Sequence, residues 1–356
     1  MITINFITSW NTECGIADTT KPLVDELKKH DDLKINICPV KKSGVYNPFY
    51  FFKLLKNIKK NQITHIQYHS DLFSPFIPHT SISYFPVIIS LLKLWRKNKI
   101  VTTVHEIDSN SRIDKVIIKF LNLSDKLIAH DTNLINSIEK CGVKKDKLFL
   151  IPLGTSQGKL LDKTSCKNKL GVANKKILTI FGFIGLNKGH DLVIDILPEL
   201  GEDYILIIAG DAQTKEQIGY KNLLKEQISS AELQDRVKFL GFVDEKQVPT
   251  VAGATDIFVY PYRWIIASAA LNTALSYQIP TITSDLDYFR QIKKEYCCIE
   301  LFERENRQDL LEKIQGVLRS SQKQRYLKEK CTYFNKKTSW SAVCDKTKQL
   351  YLELKY

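Results

Sequence analysis

The chain has 356 residues, 44% hydrophobic and 26% charged, with only 11 prolines and 15 glycines. That balance fits about two globular domains and excludes a fibrous, collagen-like or disordered polypeptide. A formal net charge of +13 points to an anionic partner: nucleic acid, a phosphate-rich substrate or an anionic membrane. A solvated lysine surface is the plain alternative.

The opening MITINFITSW lacks a basic leader region and reads as a buried strand, so no secretory signal is expected. Strands are expected over Ile2–Thr8, Leu33–Val40, Ile63–Tyr68, Ile100–His105, Lys126–His130 and Leu148–Pro152. Helical stretches fall between them. The first follows Gly15 and runs through Pro22–Lys29, with Asp18, Thr19 and Thr20 as entry signals. The apolar stretch Tyr84–Trp95 is interrupted by Pro86, Ser90 and Lys93 and is too short to span a bilayer. A polar stretch, Thr155–Lys175, reads as a linker. Beyond it strands are expected over Lys176–Phe183, Tyr204–Ala209, Val237–Leu240, Ile257–Tyr260, Thr281–Thr283 and Cys298–Leu301. Strands alternating with helices give parallel sheets, so the expected fold class is α/β with two Rossmann-like domains. The 8 cysteines are scattered with no CxxC pair, which predicts neither a zinc site nor a disulfide ladder and suits the reducing cytoplasm.

No GxGxxG follows the first strand, which reads Ser9-Trp10-Asn11-Thr12-Glu13-Cys14-Gly15-Ile16. That counts against a dinucleotide cofactor. Gly15 ahead of a helix can present N–H groups to a phosphate, or can simply serve a turn.

Several later segments act together. Thr102-Thr103-Val104-His105-Glu106 ends a strand, and Ile151-Pro152-Leu153-Gly154-Thr155 precedes the linker. Phe181-Gly182-Phe183-Ile184-Gly185-Leu186-Asn187-Lys188-Gly189-His190-Asp191 and Ile207-Ile208-Ala209-Gly210-Asp211 follow. Then come Phe239-Leu240-Gly241-Phe242-Val243, the strand Ile257–Tyr260 with Pro261, and Ala274-Leu275-Ser276-Tyr277-Gln278-Ile279-Pro280. In this order they resemble the retaining glycosyltransferases of family four over nearly the whole chain. The resemblance implies a GT-B fold: two facing Rossmann-like domains with a cleft between them. It implies an acceptor-side domain over 1–154, completed by a terminal helix in 338–356 that crosses back to it, and a donor-side domain over 155–337. Two departures stand out. The family's glutamate pair falls on Ile265 and Thr273, and its arginine before Lys-Gly falls on Phe183 or Gly185. Pro261-Tyr262-Arg263-Trp264-Ile265-Ile266-Ala267-Ser268-Ala269-Ala270-Leu271 looks like a variant loop used by some branches.

The implied chemistry is transfer of a sugar from a nucleoside-diphosphate donor to a lipid-linked or surface-polysaccharide acceptor, with retention and without a metal or other cofactor. Lys188 and Arg263, both after strands, are expected at the donor diphosphate, where cations meet leaving charge. A helix start near Ala267 or Ser268 adds N–H groups and a hydroxyl. Gly15, Gly182, Gly210 and Phe242 are further donor-side candidates. Thr273 either holds the ribose through a neutral hydroxyl or is plain helix interior. His105, at a strand end, stands beside the sugar or acceptor, or is structural; Glu106, Asp108 and His69 are its companions. His65 is expected to point into the sheet. No histidine–carboxylate spacing suggests a metal site.

Between Lys41 and Lys60 there are six lysines, among them Lys42, Lys53, Lys56 and Lys60, and no acid. Phe51, Leu54, Leu55 and Ile58 share one helical face. Such a helix either lies on an anionic membrane, making the protein peripheral on the inner face, or packs on the sheet. Two rival readings remain: a catalytically silent GT-B partner protein, motivated by the absent glutamates, and a nucleic-acid-binding protein, motivated by charge alone and lacking any basic-aromatic motif.

Overall fold

The computed structural model describes residues 1–12, 14–41, 48–74, 83–107, 111–265 and 268–354. It divides into two compact units, Met1–Gly154 with Thr338–Tyr356, and Thr155–Lys337.

Unit 1 holds a six-stranded parallel sheet: β1 (Ile2–Thr8), β2 (Leu33–Pro39), β3 (Ile63–Tyr68), β4 (Lys99–Val104), β5 (Lys126–Ala129) and β6 (Leu148–Leu150), in spatial order β2-β1-β3-β4-β5-β6. β3 is buried at all six positions, as expected of a parallel strand covered on both faces. The register sets Ile4 beside Ile63 and His65 beside Val101. The helix Gly15–Leu27 is capped by Cys14, whose sulfur accepts from the Ala17 N–H, and it buries Leu23, Val24 and Leu27. The helix Trp340–Glu353 buries Val343, Leu350 and Tyr351 in the same core.

Unit 2 holds the second six-stranded parallel sheet: β7 (Lys176–Phe181), β8 (Tyr204–Ala209), β9 (Val237–Gly241), β10 (Ile257–Tyr260), β11 (Thr281–Ser284) and β12 (Glu300–Phe302). Its order is β12-β11-β10-β7-β8-β9. The fold class read from the sequence therefore stands; β1, β3, β8 and β10 match to the residue and the other strand ends shift by one or two residues.

One local expectation is corrected, one alternative is decided and one feature is new. The stretch 155–175 is not a bare linker. Residues Lys163–Lys169 form a helix capped by Asp162, and its one inward residue, Cys166, packs where Gly253 leaves no room for a Cβ (2.6 Å to the sulfur). The helix Pro48–Lys56 turns Phe51, Leu54 and Leu55 into the core with Ile58, alongside Tyr68 and Phe73. The apolar face that could have met a membrane is thus already covered, while Lys53, Lys56 and Lys60 lie in water; Lys42 is outside the described residues. The Leu91–Trp95 turn is π-helical, which the sequence did not signal.

Candidate functional site

The strand order of unit 2 reverses between β10 and β7. In open α/β sheets such a switch leaves a crevice at the carboxyl ends of the two strands, where ligands bind. Here that crevice lies between the loop after Phe181 and the loop after Tyr260. Three adjacent strands end on glycines with positive φ: Gly182 (120°), Gly210 (156°) and Gly241 (69°). A Cβ on Gly210 would fall 1.9 Å from the Gly182 carbonyl oxygen, so the two chains cross in bare contact. Phe183 and Phe242, just past two of these glycines, are exposed.

Lys188 closes a short 3-10 turn, Leu186–Lys188, in this loop. Its Nζ sits 3.8 Å from the centre of the Tyr262 ring. Burial lowers its pKa from the usual lysine value to about 8. Among the described residues no carboxylate pairs with it. Gly189 then turns left-handed (φ 65°) with its Cα against Pro261; a Cβ there would lie 2.0 Å from the Pro261 carbonyl oxygen. His190 follows, fully buried, with neither ring nitrogen hydrogen-bonded to a described residue.

Arg263, expected at the donor diphosphate, is engaged within the protein. Its Nη1 and Nη2 hold the Asp191 carboxylate at 2.9 and 2.6 Å. Nη1 also donates to Leu186 O at 2.9 Å, and Nε to Glu305 at 3.1 Å. These bonds, Asp191 first, hold the guanidinium far above its ordinary pKa. Four of its five N–H groups are committed within the protein.

The helix after this loop is Ala269–Ser276, and Ser268 is its N-cap. The Ser268 hydroxyl is buried and accepts from the Leu271 N–H at 3.1 Å, so its role is capping the helix. Residues Ile266 and Ala267 lie outside the described residues. Gly182 approaches this helix start: a Cβ there would be 3.3 Å from Ala270 Cβ. Thr273 spends its hydroxyl proton on Ala269 O one turn back (3.2 Å), leaving acceptor lone pairs. Ile265 packs against the core beside Tyr262 and Phe289. Asp211, after β8, pairs with Lys221 at 2.6 Å.

In unit 1 the polar residues gather at the carboxyl ends of β3, β4 and β5. His105 Nε2 bonds Gln67 Oε1 at 2.7 Å, and the Gln67 amide nitrogen faces His65 Nε2 at 3.3 Å. His65 points into the interior, as expected, and is tied to Thr103 and, at 2.5 Å, to Tyr351 on the last helix. His130 lies 5.1 Å from His105 ring to ring, and its Nδ1 donates to Ile151 O. Burial holds His65 at about 3 and pushes His105 well below the ordinary histidine range; His130 is lowered too. All three are neutral at neutral pH. A cavity of about 20 Å³, room for one water, is lined by Gln67, Thr103, His105, His130 and Trp340. His69 pairs with Glu106 at 3.2 Å; Asp108 is outside the described residues, as is Glu13. Gly15 has ordinary φ and open space where a Cβ would go, so no turn geometry demands glycine there. Among the described residues no three His, Cys, Asp or Glu side chains cluster to hold a metal, and no helix is long and apolar enough to cross a membrane.

Residues 162–332 match the family model of the glycosyl transferases group 1. This stretch is similar to the group 1 glycosyltransferases. It carries both loops of the crevice and every donor-side candidate but Gly15. The chain is 24% identical over 253 residues to mannosylfructose-phosphate synthase of Agrobacterium fabrum, covering 65% of this chain and 56% of that protein. It is 32% identical over 135 residues to the lipopolysaccharide core biosynthesis mannosyltransferase LpsB of Rhizobium meliloti, 37% of this chain and 38% of that one. The chain thus spans about half the length of the curated relatives it matches. Among solved structures, Anabaena HepE in complex with UDP superposes with a TM-score of 0.79 at 16% identity, over 99% of this chain and 100% of that one. The sucrose-phosphate synthase of Thermosynechococcus elongatus gives 0.76 at 14%, over 99% of each. These likenesses establish the fold as GT-B.

Sequence reasoning passed over two residues of unit 2, Asp191 and Glu305. Asp191 stands inside the quoted Lys-Gly segment, yet its partner is 72 positions away. In unit 1 it passed over Gln67. The available signal was three polar residues, Thr64, His65 and Gln67, in a strand with no exposed position.

Proposed function

We propose that this protein is a retaining glycosyltransferase that takes a sugar from a nucleoside-diphosphate donor bound by unit 2. The observation that carries the reading is Lys188: a half-buried ammonium that pairs with no carboxylate among the described residues, in the switch-point crevice of the stretch that matches the group 1 glycosyltransferases. A desolvated cation is stabilised by an anion, and a leaving diphosphate supplies one. The N–H groups at the start of Ala269–Ser276, beside Gly182, add donors to the same charge. Phe242 offers an exposed ring to the base, and HepE, of the same fold, has been solved with UDP-glucose.

In the reaction the bond between the sugar C1 and the diphosphate oxygen breaks. The acceptor oxygen bonds to C1 on the same face, and its proton passes to the departing phosphate oxygen. Lys188 and the helix N–H groups meet the charge that a metal would otherwise meet, so the reading asks for no resident cofactor. Unit 1 takes the acceptor. His105, held neutral by burial, serves there as a hydrogen-bond partner rather than a cation.

The acceptor proposed is a lipid-linked or surface-polysaccharide precursor, met at the inner face of an anionic membrane. Its support is the charge of +13 and exposed Phe49 and Phe52 beside Lys53 and Lys56. Vesicles with and without anionic lipid test that part.

Thermal shift with UDP, GDP and their sugars tests the donor reading. At least one should raise the melting temperature of wild type and fail to raise that of Lys188→Ala. If none does, or if Lys188→Ala responds like wild type, the reading falls and a catalytically silent GT-B protein takes its place.

A further inference from the structure

The loop that carries Lys188 is anchored at its start by Ile184, which is buried and whose N–H donates to Asp211 O at 3.1 Å. Its 3-10 turn is three residues long, and Leu186 at its start is exposed. What holds the turn comes from the end of β10. The Arg263 N–H donates to Asn187 O at 2.9 Å, and Arg263 Nη1 donates to Leu186 O at 2.9 Å. Gly189 rests on Pro261, and the Tyr262 ring lies under the Lys188 ammonium. Three consecutive residues, Pro261, Tyr262 and Arg263, therefore touch four consecutive ones, Leu186 to Gly189. The guanidinium is fixed in turn. Asp191 holds it in a two-bonded fork. Asp191 also accepts from Tyr220 Oη at 2.5 Å, and its backbone carbonyl accepts from Gln227 Nε2 at 3.1 Å.

Resting on the proposed donor site, we propose that Arg263 is a positioning residue: clamped by Asp191, it fixes the Leu186–Lys188 turn so that the Lys188 ammonium is presented to the diphosphate. Arg263 itself does not bind the donor phosphates. The fork geometry supports this, because a bidentate Arg–carboxylate pair is rigid and directional where a lone lysine contact is not. The carboxylate supports it as well. A phosphate arriving at Arg263 would have to share its cation with Asp191 and with Glu305, two negative charges within 3.1 Å of it. At Lys188 it meets no such competitor among the described residues.

The experiment compares Arg263→Ala, Arg263→Lys, Asp191→Asn and the Arg263→Ala/Asp191→Asn double variant. Two readouts are taken: the titration of Lys188, followed by NMR of the ¹³C-methylated amine, and calorimetric binding of UDP and GDP. In wild type Lys188 should titrate near the value of about 8 that its burial gives. Each single variant should move that midpoint towards the ordinary lysine value. Each should also weaken the preferred nucleotide by about tenfold or more, the scale of one charge-assisted hydrogen bond. The double variant should be no worse than the worse single, because both act through one clamp. Asp191→Asn keeps the shape of the side chain and guards against a misfolded Arg263→Ala. The proposal is overturned if Lys188 titrates as in wild type while Arg263→Ala loses nucleotide and Asp191→Asn keeps or tightens it, for then Arg263 touches phosphate. If wild type binds neither UDP nor GDP, the donor reading fails, and the Lys188 titration still decides whether the clamp exists.

Discussion

The Nζ of Lys188 lies 3.8 Å from the centre of the Tyr262 ring. The ring face stabilises the ammonium partly, and burial still lowers its pKa to about 8.

This relationship sets a pH dependence. Nucleoside diphosphate should bind tightest below pH 8 and lose affinity as pH rises through that value, because the free protein gives up the Lys188 proton there. Binding should take up a proton between about pH 8 and the ordinary lysine range, measured as a buffer-dependent heat in calorimetry. The sign for stability is opposite. The unfolded chain keeps this proton to higher pH than the folded one, so folding is penalised below pH 8 and the penalty fades above it. Lys188→Met should accordingly raise the melting temperature at pH 7 while cutting turnover by about 2–4 kcal/mol of transition-state stabilisation, the range for a charge-stabilising group. Loss of stability together with activity would contradict the desolvated-cation account.

His190 makes a second, separate prediction. Burial holds its pKa at about 3, and both ring nitrogens lack a described partner. Between pH 6.5 and 3 the unfolded chain takes up a proton that folded His190 refuses. Stability is whole above pH 6.5 and falls by about 1.4 kcal/mol per pH unit on the way down for each such group. His65, also held at about 3, adds a like term in unit 1. His190→Leu, of similar volume, should be neutral or stabilising at pH 7, since removing an unpaired buried polar group saves about 1–3 kcal/mol. It should also flatten the acid limb for unit 2. Denaturant titrations at pH 7 and 4.5 check both; an unchanged acid slope would count against it.

The amide of Gln67 stands between two imidazoles, one end on each. An amide has one accepting and one donating end, so the two Nε2 atoms must hold opposite proton states. With the carbonyl on His105, His105 carries its proton on Nε2 and keeps a lone pair on Nδ1. His65 keeps its lone pair on Nε2 and directs Nδ1–H to Tyr351 Oη. Long-range ¹H–¹⁵N spectra should show the two rings as opposite tautomers. Gln67→Leu should leave His105 a mixture of both and lower turnover more than substrate binding. Two rings in the same tautomer would rule the arrangement out.

How far these features could be read from sequence depends on how local their causes are. β8 is a run of six buried residues between polar breaks, and its span was legible to the residue. The helix Lys163–Lys169 was not, because Cys166 is its one buried residue and the rest resembles a linker. Phe51, Leu54, Leu55 and Ile58 showed an amphipathic helix, but core and membrane cover the same kind of face. A cation after β10 was legible in Arg263, whereas its function was not: the groups that occupy it, Asp191 and Glu305, lie 72 and 42 positions away. The turn at Lys188 and Gly189 was legible because its cause is local.

Gly15 and Gly210 should part company when each is changed to alanine. At Gly210 the backbone is left-handed (φ 156°) and a Cβ would sit 1.9 Å from the Gly182 carbonyl oxygen. Backbone cannot swing aside as a side chain can. Gly210→Ala should therefore cost more than about 3 kcal/mol, beyond the usual range for a single substitution, and should distort the crevice. At Gly15 no described residue lies within 4 Å of the added carbon. Alanine is the better helix former, so Gly15→Ala should hold or raise stability by up to about 1 kcal/mol. That makes it a clean probe of function. If turnover falls while the melting temperature holds, the bare helix start at Gly15 is reserved for close approach of a substrate. If turnover and stability are both unchanged, Gly15 has no part in the reaction.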